Sequence, residues 1–512
     1  MSLRSRLQLL GAAAALPLAL GACGLTRPPA MAPATFPAQW NAPLPQPGGS
    51  AALPHGGSPA ALADWWRQLD DPLLVELIEA AEAASPTLAS AAARITDARA
   101  TSVAAGAALL PKLDGSLSAT RSNSQFGGAG GTGASSAAGT GTGTSSLAAA
   151  PIVTTGQAGL QASWEIDLFG KLRGGRDAAS LRLAGADAKW HQARVSVAAD
   201  TANLYFGERA CERQLAVAER DTRSRAETAR LTDLSMRAGF TAPADAALAR
   251  ASAADAAGRL TQQRASCAVS RAGLVALTGL DARTLDQKLA AVPVDGALPA
   301  VQPIASVPAE ALAQRPDVYA AELEVAAASA AVGEAQGQRY PRLSLTGSVG
   351  RLQLRTQGFR TTLDTWSVGP VTLSLPIFDG GALAANVDAA KGRYDEAASL
   401  YRSNVRQAVR EVEEALLNLD STASRSGDAD TAVQNYQASF DATQARYDSG
   451  LASLFDLEDA RRTLFTAQTA RVALQRERAE AWVALYRAMG GGWVRPGEAT
   501  ANASPAATTT TR

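Results

Sequence analysis

The chain has 512 residues, with 48 basic and 48 acidic side chains, so its formal charge is zero. That balance excludes the basic face that nucleic-acid binding calls for, and the length leaves room for two to four ordinary domains. Aromatic residues make up only 5%, and with so much alanine the composition favours long, closely packed helices over a broad conventional core.

Residues 1–22 read as a secretory leader: Arg4 and Arg6 precede an apolar run from Leu7 to Leu20. The run ends in Leu20-Gly21-Ala22-Cys23, which resembles a bacterial lipobox. Cys23 is therefore expected to be the lipidated first residue of the mature chain; a plain signal peptide with an incidental cysteine is the alternative. More than one acyl chain gives stable anchoring. Gly24, where an Asp would retain a lipoprotein at the inner membrane, favours the outer one by resemblance to other lipoproteins. Losing Arg4 and Arg6 leaves 46 basic against 48 acidic side chains, a net −2. No later apolar run reaches the roughly 18 residues of a transmembrane helix.

The remainder is a tandem repeat. At an offset of 230, Pro86 meets Pro316, Ile95 meets Val325, Pro111 meets Pro341 and Leu113 meets Leu343. At an offset of 211, SMRAGFTAPADAALAR (235–250) meets RYDSGLASLFDLEDAR (446–461), so Gly239 falls on Gly450, Asp245 on Asp456 and Arg250 on Arg461. The offset drops because the first copy carries the longer insert before its second strand.

Each copy predicts the same order. A helix over about 86–110, or 316–340, stops at Pro. A strand follows, with Leu113, Gly115, Leu117 and Ala119, or Leu343, Leu345 and Val349, on one face. A loop comes next; in copy one, residues 121–156 are rich in Gly, Ser, Thr and Ala. The return strand alternates Leu160, Ala162, Trp164, Ile166 and Leu168, or Val371, Leu373, Leu375 and Ile377, with polar residues. Strands of about nine to eleven residues suit an outer membrane, although two surface hairpins would give the same pattern. A very long helix then spans 174–237 or 381–449, on the order of 100 Å at 1.5 Å per residue. In the later one Val387, Ala390, Tyr394, Ala397, Tyr401, Val405, Ala408, Val412, Ala415 and Leu419 form a heptad seam, which a coiled-coil dimer also explains.

Four strands per chain cannot close, and open edges in lipid leave N–H and C=O groups unpaired at several kcal/mol each. Two chains would give eight strands, a barrel that side chains fill; three give twelve, within the range of outer-membrane barrels.

Several segments carry a family resemblance: WWRQLDDPLLVELIEAA (65–81), SWEIDLFGKLRGG (163–175), VPAEALAQRPDVYAAELEVAAASAAVGEAQGQRYPRLSLTGSVG (307–350), LSLPIFDGGAL (373–383) and RYDSGLASLFDLEDARRTL (446–464). They resemble the TolC-type outer-membrane factors, closest to the NodT-like lipoproteins of resistance–nodulation–division efflux systems. The resemblance implies a mixed α and β fold: a homotrimer with a twelve-stranded barrel, four strands per protomer, continuous with a long periplasmic helical barrel. It also implies docking to an inner-membrane transporter through a periplasmic adaptor. The chain then divides into a lipoprotein signal peptide (1–22), an N-terminal linker and equatorial segment (23–85), a first repeat (86–280), an equatorial linker (281–315), a second repeat (316–491) and a disordered tail (492–512).

On this reading the repeated corner is the periplasmic tip. Gly239 and Gly450 leave the long helices where a left-handed residue is needed. By resemblance, Asp456 and Asp459 match acids ringing a narrowed entrance, and Tyr447 matches a tyrosine that ties neighbouring helices shut. Threefold symmetry would stack two carboxylate rings, which favour cations. Capping of the following helix is the other reading of Asp456 and Asp245. By the same resemblance Asp245 and Arg250 match positions on the partner helices; Arg461 stands at the corresponding corner of copy two, and Ala452 stands where some members carry a closing arginine. Cys211 lies 28 residues before Gly239 and Cys267 lies 28 after it, so an antiparallel hairpin brings them to one height. A disulfide is expected in an oxidising compartment, against two buried free thiols.

The two histidines, His55 and His191, form no triad or metal set, so no enzyme and no cofactor beyond the lipid is expected. The expected function is a passive exit duct of a tripartite efflux pump for small molecules or drugs. The rivals are a duct for type I protein secretion and a structural coiled-coil envelope lipoprotein.

Overall fold

The computed structural model describes residues 27–34, 40, 42, 65–69, 71–122, 152–292, 312, 315–356, 359–493 and 495–496. The expected leader with Cys23, His55, most of the Gly/Ser/Thr-rich loop and the tail from 497 lie outside the described residues.

A single 3-10 turn, Trp65–Leu69, precedes α1 (Pro72–Ala84) and α2 (Pro86–Ala107). Then come β1 (Lys112–Ser122), β2 (Val153–Ile166), α3 (Lys171–Arg237), α4 (Pro243–Thr278) and α5 (Ala282–Ala291). The second copy gives α6 (Pro316–Gly337), β3 (Arg342–Thr356), β4 (Phe359–Ser374), α7 (Ala382–Asp448) and α8 (Leu454–Ala488). Local chemistry sets the boundaries. Asp71 accepts a hydrogen bond from Leu74 N at 3.2 Å, with Pro72 in the first helical position of α1. Asp281 accepts from the N–H groups of Arg283 and Thr284 at 3.1 Å each, starting a helix inside the stretch expected as a linker. The two long helices have 67 residues each, as duplication requires.

Contacts divide the chain into two compact units. One comprises Met1–Ala30, Ala98–Leu181 and Ala326–Asp395; the other comprises Met31–Asp97, Arg182–Val325 and Glu396–Arg512.

The first unit holds one antiparallel sheet in the order β1-β2-β3-β4. Cross-strand partners fix which residues share a face. One face carries Leu113, Leu117, Leu160, Trp164, Leu345, Val349, Trp366, Val368, Val371 and Leu373. The opposite face carries Ser116, Ser118, Gln161, Ser163, Thr346, Ser348, Thr365, Ser367 and Thr372. Ser348 and Ser367 hydrogen-bond across it at 2.9 Å. Near the hairpin ends the pattern inverts: Leu352, Leu354, Phe359 and Leu363 take the polar face, while Arg351, Gln353, Arg355, Arg360 and Asp364 take the apolar one.

The strands depart from the expected lengths. β3 and β4 have 15 and 16 residues, because pairing continues past Gly350 to Thr356↔Phe359. β2 starts at Val153, inside the stretch expected as loop, and ends before Leu168. β4 ends at Ser374, so Leu375 and Ile377 lie beyond it; Pro376 has no N–H to continue the ladder.

In the second unit, aromatic contacts seat the 3-10 turn on α8. Trp65 stacks on Trp482 with ring centroids 4.5 Å apart, and Trp66 meets Tyr486 at 4.5 Å. Buried Arg315 joins three elements, bonding Asp317 at 2.7 Å, Glu411 on α7 at 2.8 Å and the Ala488 carbonyl of α8 at 2.9 Å. Nine of the ten heptad-seam residues are buried within the single chain, and Tyr394 is half-buried.

Gly159 and Gly350 face each other across β2 and β3, and a Cβ on Gly350 would stand 2.9 Å from the Ala158 carbonyl oxygen. A Cβ on Gly156 would meet nothing within 4 Å. Gly350→Val is therefore expected to abolish accumulation of folded protein in the outer membrane, read as loss of the heat-modifiable band. Gly156→Ala should leave that band intact.

Candidate functional site

The two corners share a backbone solution. Gly239 has φ +82° and Gly450 has φ +73°. At the first, Phe240 N donates to Ser235 O at 2.9 Å and Gly239 N to Met236 O at 3.0 Å. At the second, Leu451 N donates to Arg446 O at 2.7 Å and Gly450 N to Tyr447 O at 2.9 Å. Both are Schellman endings with glycine in the left-handed position. No atom crowds a Cβ at either glycine, so backbone conformation alone demands the residue.

Beyond the glycine the copies diverge. Ser453 and Asp456 form a capping box: Asp456 N donates to Ser453 Oγ at 3.1 Å, and Ser453 N donates to Asp456 Oδ2 at 3.0 Å. Copy one has Ala242 at the N-cap with no side-chain hydrogen bond. Asp245 is thus not a cap. It is exposed in the first turn of α4, where a carboxylate faces the positive end of the helix. Arg250 is also exposed; its Nε donates to Ala246 O at 3.2 Å, and Asp233 lies 3.9 Å away.

Tyr447 and Thr232 join the copies, hydroxyl to hydroxyl, at 3.2 Å. Thr232 spends its own proton on the Thr228 carbonyl at 2.7 Å, so Tyr447 is the donor. Around this contact Ala229, Ala249 and Leu454 pack together. Asp459 is half-exposed and pairs with Arg462 three residues on. Its charge is therefore partly matched within one chain.

The largest electrostatic feature of the region is a buried cluster. Arg225 bonds Asp221 at 2.9 Å and Ser252 Oγ at 2.6 Å, and pairs with Glu458. Arg461 donates to Glu458 Oε1 at 2.5 Å and Thr228 Oγ1 at 3.0 Å. Residues from α3, α4 and α8 thus meet in a group of two positive and two negative side chains, extended by Arg259 to Asp221 at 3.3 Å. Burial holds the Arg461 guanidinium below its usual pKa, with Glu458 opposing that shift. Removing one member of such a group strands a charge away from water. Sequence reasoning placed Arg461 at the corner but missed Asp221, Arg225 and Glu458. The available signal was divergence: Glu458 stands where copy one has Ala247, and Arg225 where copy two has Tyr436.

Cys211 and Cys267 are bonded, with their Cα atoms 5.6 Å apart, and Gln263 Nε2 lies 3.1 Å from Cys211 Sγ. His191 packs against Trp190 and Trp493; burial, then Arg194, keep its pKa below the ordinary histidine value. No metal-holding group of three or more His, Cys, Asp or Glu occurs among the described residues, and no described helix is long and apolar enough to cross a membrane.

Two outcomes follow from this geometry. Thiol labelling of the denatured, unreduced protein should find Cys211 and Cys267 unreactive until reductant is added. The Ser453 hydroxyl, then its backbone N–H, hold the Asp456 carboxyl below the usual range. A depressed folded pKa stabilises above the unfolded value and is lost as pH falls through the folded one. First-turn amides of α8 should therefore stay protected at neutral pH and lose protection below roughly pH 4, relative to the uncapped first turn of α4. Ser453→Ala should remove the difference at neutral pH.

The arrangement can be set beside known proteins. A sequence profile described as "Outer membrane efflux protein" matches residues 77–280 and 307–491. The pyoverdine export outer membrane protein OpmQ of Pseudomonas putida is 31% identical over 93% of this chain and 96% of its own length. Nodulation protein T of Rhizobium leguminosarum bv. viciae is 28% identical over 95% of this chain and 94% of its own. The outer-membrane channel OprN superposes with a TM-score of 0.75 at 27% identity, covering 92% of this chain and 99% of that one. The chain therefore belongs to the outer membrane efflux protein family, and it is an outer-membrane channel rather than an enzyme.

Proposed function

We propose that three copies of this chain pool their strands into one twelve-stranded barrel and their long helices into a periplasmic cylinder. Together they form the exit duct of a tripartite pump. The observation that carries this reading is the four-stranded sheet, open at both edges among the described residues, with one apolar and one polar face. Within lipid its edge groups require partners, and closure supplies them. The internal burial of the heptad seam weighs against a coiled-coil strut, because those residues are already covered by their own chain.

The corners then become the periplasmic mouth. Asp456 and Asp459 would ring it, with Arg462 tempering the second ring, and the Tyr447–Thr232 contact would hold the two copies closed. Phe240, Leu451 and Phe455 are 87%, 71% and 71% exposed at the corners and offer apolar contact to an adaptor that couples the duct to a resistance–nodulation–division transporter. Export of pyoverdine by a relative supports small organic molecules as cargo. Lipid on Cys23 would add a second hold on the outer membrane.

Purified protein in planar bilayers should give discrete conductance steps, and its mass in detergent should be that of three chains plus bound detergent. Asp456→Asn with Asp459→Asn is expected to shift the reversal potential in a salt gradient toward zero as cation preference falls. Stable monomers without steps would overturn the reading.

A further inference from the structure

The sheet's apolar face ends in an unexplained row of positive charge. Arg121 pairs with Thr154, Thr154 with Arg355, and Arg355 with Arg360, so the three arginines lie in register on one face. All three are exposed. No acidic side chain among the described residues pairs with any of them, whereas Arg351, four residues before Arg355, is matched by Asp364 at 2.6 and 3.0 Å. Strands lie about 4.8 Å apart, so Arg355 and Arg360 face each other at one strand spacing and Arg121 follows two further on. Like charges directly opposite one another destabilise a sheet, and an anion between them reverses the sign. Thr154 is small enough to leave the space between Arg121 and Arg355 open. Guanidinium groups so placed suit phosphate, which they bind in bidentate fashion.

Height discriminates among phosphates. The last row before the first charged side chains, Arg351 and Asp364, appear on this face is Gly115–Leu160–Val349–Trp366. From Val349 to Arg355 the strand advances about 20 Å, or roughly 15 Å along the axis of a barrel tilted by about 40°. A phospholipid headgroup layer is only about 5–8 Å deep on each side. The inversion at Leu352, Leu354 and Leu363 likewise shows that this face has left the greasy band by then. The row stands at the hairpin ends, opposite the strand ends that lead to the helices. On the barrel reading above, it stands in the outer leaflet's polar layer. We infer that Arg121, Arg355 and Arg360 bind phosphate groups on the saccharide core of the glycolipid that forms this leaflet, three such rows encircling the assembly.

The test uses the full-length protein in detergent, titrated with fluorescent lipopolysaccharide carrying a phosphorylated inner core. Arg121→Gln with Arg355→Gln and Arg360→Gln should weaken binding on the order of tenfold or more. Dephosphorylated lipopolysaccharide should bind the unaltered protein as weakly as the phosphorylated form binds the variant. Arg351→Gln with Asp364→Asn, a matched pair removed together, should leave affinity within about twofold. Equal binding by the triple variant, or equal competition by phosphatidylglycerol vesicles or inorganic phosphate, overturns the inference. Retention of the protein in urea-washed outer membranes separates the two levels. If the unaltered protein washes out, the barrel reading fails; if it stays and the triple variant binds equally well, only the arginine row fails.

Discussion

The fold turns on the sheet edges. Among the described residues, β1 and β4 each present a row of backbone groups with no partner strand, and one face between them is greasy. Water could satisfy the edges but not that face, while lipid could satisfy the face but not the edges. Only further strands satisfy both. In the proposed barrel, assembly would therefore be written into backbone hydrogen bonding, and the side chains would decide only which surface turns toward the membrane.

Duplication supplies the parts, and divergence gives them different work. The glycine corners are near copies, with the same left-handed residue and the same pair of closing hydrogen bonds. Past that point Ser453 caps one helix where Ala242 leaves the other uncapped. Glu458 in copy two meets Arg225 and Ser252 of copy one. A buried group of opposed charges has poor tolerance for loss of any member, so it fixes which helices of the two copies lie together. Tyr447, Thr232 and the small apolar residues around them then pack on a frame already registered by charge.

Periodicity made much of this legible in the sequence. Alternation at Leu160, Ala162, Trp164 and Ile166 marked a strand, and the heptad seam from Val387 to Leu419 marked a helix whose buried face is that seam. Strand length was not legible, because the apolar alternation stops at Val349 while pairing runs on past Gly350, where two backbones come close. The capping role of Asp456 was visible from its spacing to Ser453, whereas Asp245 shares the spacing but lacks the hydroxyl partner. The charge cluster was hidden for a different reason: its members come from three helices, and no one-dimensional period links Asp221 to Glu458.

The covalent bond between Cys211 and Cys267 has an effect beyond holding two sulfurs together. It closes a ring of chain spanning 56 residues of sequence separation, and the entropy thereby removed from the unfolded state is about 4 kcal/mol. A closed ring also cannot be untied or traded with a sibling chain. Among the described residues, the second hairpin has no such bond: non-covalent contacts join α7 and α8, the Arg425–Glu477 and Arg471–Asp430 ion pairs among them, while α3 and α4 are covalently tied. In the proposed trimer the six repeated corners would therefore be of two mechanical kinds, three on stapled hairpins alternating with three on hairpins held without a covalent tie.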